Sequence, residues 1–189
     1  QNFPFITTYN MVNEYKIHLL YELANKYDEV LYLDFDTVPI TNESFFDAWD
    51  LSKGIAIMHN NKEIRQSGQT LFDIKGTIRS PSAKYFNAMA MLEETDHDPQ
   101  CNVVNTGIIG ATKEHLNRLG FFHDIKTTYD IMKYLQSEEY KLDCMYPKNI
   151  TDTFGFDNET IFSYKLVSNE VPVQWLDRKW HYFYDTELH

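Results

Sequence analysis

The sequence predicts an α/β fold, in which a mixed, mostly parallel β-sheet is flanked by helices. Amphipathic segments with helical spacing alternate along the chain with short apolar runs of the strand type. One such run, residues 30–33, leads directly into Asp34 and Asp36, and open α/β sheets bind their ligands at strand ends of this kind. The 189 residues, 43% of them apolar, are enough to enclose one hydrophobic core, so we expect a single domain over residues 1–189.

The first elements predicted are a helix and the strand that it feeds. Apolar side chains at three- and four-residue steps indicate an amphipathic helix over residues 10–27. The Val, Leu and Tyr residues of the 30–33 run favour a strand buried on both faces, and Pro39 ends the segment. After a polar turn we expect a short helical turn at 45–49 and a second buried strand at 54–58.

A long polar stretch separates these elements from the next helix. Residues 59–76 contain few apolar anchors and are predicted to form a loop, and long loops in compact domains are usually functional or mobile. Ser80 followed by Pro81 is a typical helix start, with Ser at the N-cap and Pro at the first helical position. We expect this helix to end near Glu93 and an acidic loop to occupy residues 95–100.

The remainder of the chain predicts two strands and three helices. These elements are a strand at 103–110 with a glycine break, helices at 113–119 and 125–135, an irregular segment at 143–156, a helix at 160–166 opened by residues 157–159, and a strand at 171–176 before an aromatic tail.

Charge and cysteine content exclude several classes of function. The chain has 17 basic and 28 acidic residues, a formal net charge of −11, so we expect neither a nucleic-acid partner nor an anionic membrane surface. The two cysteines, Cys101 and Cys144, lack metal-site spacing and favour a reducing compartment. No apolar run has transmembrane length and no leader is present, which predicts a cytoplasmic protein. The chain opens at Gln1, consistent with a start inside a longer polypeptide.

The acid pair Asp34 and Asp36 is the strongest chemical signal. Two carboxylates at the end of a buried strand repel each other and lose hydration, so they usually need a cation or a shared proton. Mg²⁺ and Mn²⁺ prefer carboxylate and water oxygens, and commonly take one or two protein carboxylates together with substrate phosphates. The pair therefore predicts a divalent-metal site, with two solvated acids at a strand end as the alternative.

Residues 27–38 (YDEVLYLDFDTV) resemble the metal-binding segment of nucleotide-sugar glycosyltransferases of the GT-A fold, which is Rossmann-related. Within that fold they are most similar to the glycogenin-like and lipopolysaccharide galactosyltransferase-like group. Three further segments are similar in the same order, namely the helix at 15–26, the strand at 104–109 and the helix start at 156–162. The short chain also resembles small viral glycosyltransferases, for which the location would be the host cytoplasm.

The resemblance implies a ligand set for Mn²⁺ or Mg²⁺. Asp36 would bind the metal directly, and Asp34 would contact the donor ribose as well as the metal. The family's third ligand is a His near the C-terminus, for which His181 and His189 are both candidates. The Gly-and-Lys motif that follows this His in the family is missing, and part of the N-terminal region that holds the nucleotide base is also lacking.

The resemblance further implies a donor and acceptor pocket and an acid cluster beside the reacting sugar. Each has a structural alternative. Residues 105–107 could form a strand bulge, and the acids within residues 157–159 could simply favour a helix N-terminus. His181 could be a packed core side chain, and His189 could lie in a frayed chain end. The implied binding residues are Asn105, Thr106, Gly107 and Asn158, and the implied catalytic acids are Asp157 and Glu159. Lys16, which could pair with a phosphate or lie at the surface, and Phe35 are further candidates for donor or acceptor binding.

Taken together, these patterns predict a metal-dependent glycosyltransferase. It would move a sugar from a nucleoside diphosphate sugar, with a UDP-sugar favoured, to a hydroxyl of a glycan or glycoprotein acceptor. If the reaction inverts the anomeric centre, Asp157 or Glu159 would take the acceptor proton. One alternative is a haloacid dehalogenase-type phosphatase with Asp34 as nucleophile and Asp36 as acid and base. Another is a non-catalytic sugar-binding domain.

Overall fold

The structure is a computed structural model of the chain, described here over residues 8–59, 81–143 and 157–182. Four sequence predictions concern residues outside these ranges and stay predictions. They are the loop at 59–76 beyond its first residue, the N-cap Ser80, the irregular segment at 143–156 beyond its first residue, and the candidate ligand His189.

The described residues form an α/β fold around a four-stranded mixed sheet with the strand order β1-β3-β2-β4. Strand β3 is antiparallel to both β1 and β2, and β2 pairs with β4 in parallel, so β1, β2 and β4 run in one direction and β3 runs in the other. The α/β class and the mixed sheet are confirmed. The prediction of a mostly parallel sheet fits the direction of three of the four described strands but not their pairing, since two of the three strand pairs are antiparallel. Apolar content and spacing carry no information about strand direction. The strands are β1 (Glu29–Leu33), β2 (Ile55–His59), β3 (Val104–Thr112) and β4 (Val173–Trp175).

The predicted helices are all present in the described residues, with ends that shift by a few positions. One helix was not predicted, at Glu138–Asp143, because its sequence EEYKLD offers too few apolar residues for a helical period. The helices are α1 (Thr8–Ala24), α2 (Phe45–Ala48), α3 (Pro81–Glu94), α4 (Lys113–Leu119), α5 (Ile125–Leu135), α6 (Glu138–Asp143) and α7 (Asp157–Ser168), and a 3₁₀ turn covers Leu51–Lys53.

The core lies on both faces of the sheet. Side chains alternate along β2, so that Ile55 and Ile57 enter the larger cluster under the helices while Ala56 and Met58 enter a smaller one on the opposite face. Helix α1 packs against β1, and α7 packs against β3 and α3. The prediction of a buried second strand is therefore confirmed. None of the helices in the described ranges is long and apolar enough to cross a bilayer.

Strand β1 lies at one edge of the described sheet. Val30 is buried, Leu31 and Tyr32 are half-buried, and Leu33 is 42% exposed. The prediction that this strand is buried on both faces holds only in part. Val30 enters the larger core cluster and Leu31 packs against the smaller one, but the strand ends in the exposed Leu33. An edge strand and a central strand can carry the same apolar run, so the sequence did not separate them.

Strand β3 continues through Gly107, where the sequence predicted a break. The pairing register with β2 shifts at this point: Ile57 pairs with Ile109, but the next residue, Met58, pairs with Asn105. Three β3 residues therefore bulge out of the ladder. Because β3 runs antiparallel to β1, this bulge lies beside the carboxyl end of β1, and the Asp34 amide donates a 2.8 Å hydrogen bond to the Gly107 carbonyl.

Candidate functional site

A cleft of about 900 Å³ opens where β1 ends and β3 begins. Its volume lies in the range of pockets that hold small ligands. Four parts of the chain meet there: helix α1, the segment after β1, the β3 bulge with the first turn of α7, and the segment at 179–182. The polar and charged lining residues used below are Asn13, Lys16, Asp34, Asp36, Thr37, Glu43, Asn105, Thr106, Asn158, Glu159, Lys179 and His181.

Asp34 is held by two neighbours that the protein itself supplies. The Lys16 ammonium lies 3.3 Å from both carboxylate oxygens, and the Tyr32 hydroxyl donates a 2.7 Å hydrogen bond to Oδ1. The Lys16 and Asp34 side chains are 11% and 29% exposed. Burial raises the pKa of Tyr32, and so does the hydrogen bond to Asp34, so the phenol remains a donor. The positive charge that this carboxylate needs is thus already present in Lys16.

Asp36 has a different environment. It is exposed, lines the cleft, and makes no hydrogen bond or ion pair with any residue in the described ranges. The expectation that both acids are buried is therefore wrong for Asp36, because the chain has left the sheet: the Thr37 amide donates to the Asp34 carbonyl at 3.0 Å and closes a turn. At the tip of this turn, the carboxylate of Asp36 is solvated.

The donor set fits a divalent cation that brings other ligands with it. Among the described residues no group of three or more His, Cys, Asp or Glu side chains is arranged to hold a metal. Mg²⁺ and Mn²⁺ do not require such a group, since they often bind one or two carboxylates together with phosphates and water. The open carboxylate of Asp36, with Asp34 two residues away on the same cleft wall, meets that smaller requirement.

The β3 bulge and the start of α7 are joined by buried hydrogen bonds. The Thr106 amide donates to Glu159 Oε1 at 3.0 Å, and the Thr106 hydroxyl donates to the same oxygen at 3.4 Å. Asn158 Nδ2 donates to Thr106 Oγ1 at 2.8 Å. Within the bulge, the Gly107 amide donates to Asn105 Oδ1 at 2.9 Å. Asn105, Thr106 and Gly107 therefore lie at a strand bulge, which was the structural alternative to a binding role, and they also line the cleft.

His181 is buried at the floor of the cleft and packs against Gly107. A β-carbon on Gly107 would lie 3.3 Å from His181 Nε2 and 2.9 Å from Asn105 Oδ1, so glycine is what allows this approach. Burial lowers the pKa of His181, while the carboxylates of Asp34 and Glu159 act in the opposite direction. The His181 imidazole is thus packed in a buried position and also lies beside Asp34. This position is compatible with both predicted roles, a core side chain and a metal ligand.

The structure brings together nine of the predicted site residues. Phe35 is not part of the lining and is 98% exposed. Asp157 begins α7, but its side chain falls outside the description, as does the whole of His189. The nine that line the cleft are Lys16, Asp34, Asp36, Asn105, Thr106, Gly107, Asn158, Glu159 and His181.

Sequence reasoning missed two features of the site. Tyr32 holds Asp34, and strand periodicity could have found it, because residues two apart lie on one face. The rim contains an ion pair between Lys179 and Glu43, and Trp180 packs edge-on against Phe45 with ring centroids 5.5 Å apart. No local pattern connects residues so distant in sequence, so the rim could not have been predicted.

Comparisons of the chain with protein-family models, with curated proteins and with solved structures find no match. The function therefore has to be inferred from the residues of the cleft and from the resemblance of the sequence segments that line it.

Proposed function

We propose that this protein is a metal-dependent glycosyltransferase with a GT-A-like fold. The observation that carries the proposal is the meeting of three distant segments in one cleft. Asp36 follows β1, Asn105 lies in β3 and Asn158 lies in α7, yet all three line the same 900 Å³ space. These are the segments whose sequences resemble the metal-binding, sugar-binding and catalytic parts of that enzyme class.

The donor in this proposal is a nucleoside diphosphate sugar, with a UDP-sugar favoured. The chain carries a net charge of −11, so a bare diphosphate would be repelled. Asp36 and Asp34 would hold Mn²⁺ or Mg²⁺, which when bound neutralises the diphosphate leaving group. Lys16 adds a second positive charge to the same wall of the cleft, within 3.3 Å of Asp34.

The acceptor in this proposal is a hydroxyl of a glycan or glycoprotein. Transfer breaks the bond between the anomeric carbon and the diphosphate oxygen, and forms a bond from that carbon to the acceptor oxygen. The acceptor proton passes to a carboxylate if the reaction inverts the anomeric centre, and Asp157 and Glu159 are the candidates. In a retaining reaction the departing phosphate can accept it. The side-chain amides of Asn105 and Asn158, which line the cleft, supply hydrogen bonds for sugar hydroxyls.

The test is donor hydrolysis and transfer with purified protein. A panel of nucleoside diphosphate sugars is incubated with Mn²⁺, with and without chelator, and free nucleoside diphosphate is measured. We expect metal-dependent release from one donor, reduced at least about 100-fold in Asp36→Asn, because an amide is a far weaker metal ligand than a carboxylate. Asp28→Asn is the matched control, since Asp28 is exposed at the opposite end of β1.

Three outcomes would contradict the proposal. Release of phosphate from simple phosphomonoesters, without donor cleavage, would indicate the phosphatase alternative. Binding of a sugar without turnover would indicate a sugar-binding domain. Equal loss of release in Asp36→Asn and Asp28→Asn would show that the effect comes from net charge and not from a metal site.

A further inference from the structure

We infer that Glu159 is a positioning residue, which acts on the site by fixing the β3 bulge through Thr106, and is not the general base. As a statement about catalysis this inference rests on the proposed function. As a statement about what holds the bulge, it stands on contacts between α7 and β3 alone.

The carboxylate of Glu159 is committed to Thr106. Glu159 is 6% exposed, and its Oε1 accepts both from the Thr106 amide at 3.0 Å and from the Thr106 hydroxyl at 3.4 Å. The hydroxyl has its proton free for this bond because its oxygen accepts from Asn158 Nδ2 at 2.8 Å. The donors therefore run in one direction, from the amide of Asn158 through the hydroxyl to the carboxylate.

The bulge creates the need for this acceptor. Three β3 residues lose their pairing with β2 at the register shift, and Thr106 is fully buried there. A buried amide without an acceptor is strongly unfavourable, so the sheet could not shift its register at this point unless another group replaced the lost ladder partner. Glu159 supplies that group from α7, and an ionised acceptor makes the bond stronger than a neutral one.

The bulge in turn reaches the metal-binding segment. Gly107, the residue after Thr106, accepts the 2.8 Å hydrogen bond from the Asp34 amide. A continuous path of hydrogen bonds and backbone therefore leads from Glu159 to Thr106, to Gly107 and to Asp34. Loss of the Glu159 acceptor would release Thr106 first and alter the position of Asp34 second.

The substitution Glu159→Gln separates positioning from base catalysis. A glutamine oxygen can accept the same two hydrogen bonds from Thr106, but an amide cannot take a proton from an acceptor hydroxyl. Glu159→Ala removes both abilities. Glu94 is exposed at the end of α3, so Glu94→Gln and Glu94→Ala are matched controls for the lost charge and the lost side chain.

The first measurement is amide hydrogen exchange, which does not depend on any activity. In Glu159→Gln we expect the exchange protection of the Thr106 amide to stay within about threefold of wild type. In Glu159→Ala it should fall by about tenfold or more, with a smaller fall at Asp34. Both Glu94 variants should exchange like wild type at these positions. Unchanged protection of Thr106 in Glu159→Ala would overturn the inference.

The second measurement is turnover with the donor that the panel assay identifies. Glu159→Gln should keep turnover within about fivefold of wild type, whereas Glu159→Ala should lose about tenfold or more, because misplaced groups reduce rates steeply. If Glu159→Gln loses as much as Glu159→Ala while Thr106 stays protected, Glu159 acts through its charge and the inference is wrong. If Glu159→Ala does not fold, Glu159→Gln decides: turnover within about fivefold of wild type supports positioning, and a loss of about tenfold or more with Thr106 still protected overturns the inference.

Failure of this inference is distinguishable from failure of the proposed function. A wild-type protein that turns over no donor contradicts the proposed function, while the exchange measurement still decides whether Glu159 holds the bulge.

Discussion

Two carboxylates separated by one residue have opposite surroundings in this protein. Asp34 is half-buried and bound by Lys16 and Tyr32, while Asp36 lies exposed on the turn that follows. Removal of one partner from a buried pair leaves an uncompensated charge, which destabilises the fold, whereas an exposed acid can be changed at little cost. Of the two acids, Asp36 is therefore the one whose substitution tests the proposed metal binding with the smaller effect on stability.

A second residue-scale property is the burial of the Cys101 thiol. Burial raises its pKa from the ordinary value of 9.0 to about 12. A group with a raised pKa contributes stability fully below its unfolded pKa, and this contribution is lost as the pH rises towards the folded value. We expect the free energy of unfolding to fall between about pH 9 and about pH 11, by about 1 kcal/mol per pH unit from this thiol. Urea unfolding at several pH values measures the slope.

The slope is compared between two proteins that both carry Cys144→Ser. One retains Cys101 and the other carries Cys101→Ala, so that they differ in the Cys101 thiol alone. The alanine variant should lose less stability per pH unit over the same interval, because it lacks the Cys101 thiol. All other titrating groups are common to both proteins, so the difference in slope belongs to this thiol. Equal slopes in the two proteins, or rapid labelling of Cys101 in the native state at about pH 8, would contradict the prediction.

At the scale of elements, the junction of β2 and β4 depends on Gly54. Its φ is +150°, and a β-carbon there would lie 2.6 Å from the carbonyl carbon and oxygen of Pro172. Neither backbone can move easily, because the Ile55 amide donates to that carbonyl oxygen at 2.9 Å. We expect Gly54→Ala to lower the free energy of unfolding by about 2–4 kcal/mol, measured by urea denaturation.

Gly120 provides the matched control for this substitution. It also has a positive φ, +54°, at the end of α4, but the nearest atom to a β-carbon would be 3.4 Å away, on the side chain of His123. Gly120→Ala should therefore lower stability by only about 1 kcal/mol. Both substitutions restrict the unfolded chain equally, so that effect cancels between them. Similar losses in the two variants would argue against a steric cause at Gly54.

At the scale of the whole molecule, a ligand in the cleft should stabilise the fold. The cleft is lined by α1, β3, α7 and the segments after β1 and β4, so a ligand that binds there binds the folded chain only. With Mn²⁺ present and UDP at about 100 times its dissociation constant, we expect about 2.7 kcal/mol of added stability. For a chain of this size that raises Tm by about 5–10 °C.

Thermal unfolding with and without chelator measures this shift. Chelator, or the substitution Asp36→Asn, should remove most of it, and Asp28→Asn should preserve it. A shift of the same size with UDP alone would mean that the nucleotide binds without a metal, and the role given to Asp36 would then be wrong.

The sequence by itself determined most of the helices and strands and singled out most of the polar residues that line the cleft. The spacing of apolar residues along the sequence indicates which side chains face the core. For this reason α4 and α5 were predicted at their observed bounds and β2 was predicted to be buried. The acid pair was singled out by residue type, and the residues around Asn105 and Asn158 by their resemblance to a known family; members of all three groups line one cleft.

Tertiary structure decided the direction of the strands, the edge position of β1 and the partners of each site residue. The Lys16–Asp34 pair joins residues 18 apart, and the Thr106–Glu159 bonds join residues 53 apart. Such pairs form because the packed chain has to satisfy buried charges and amides with whatever groups lie nearby, a condition that no local pattern encodes. For the same reason the sequence did not show that Lys16 pairs with Asp34 while Asp36 stays open to the cleft.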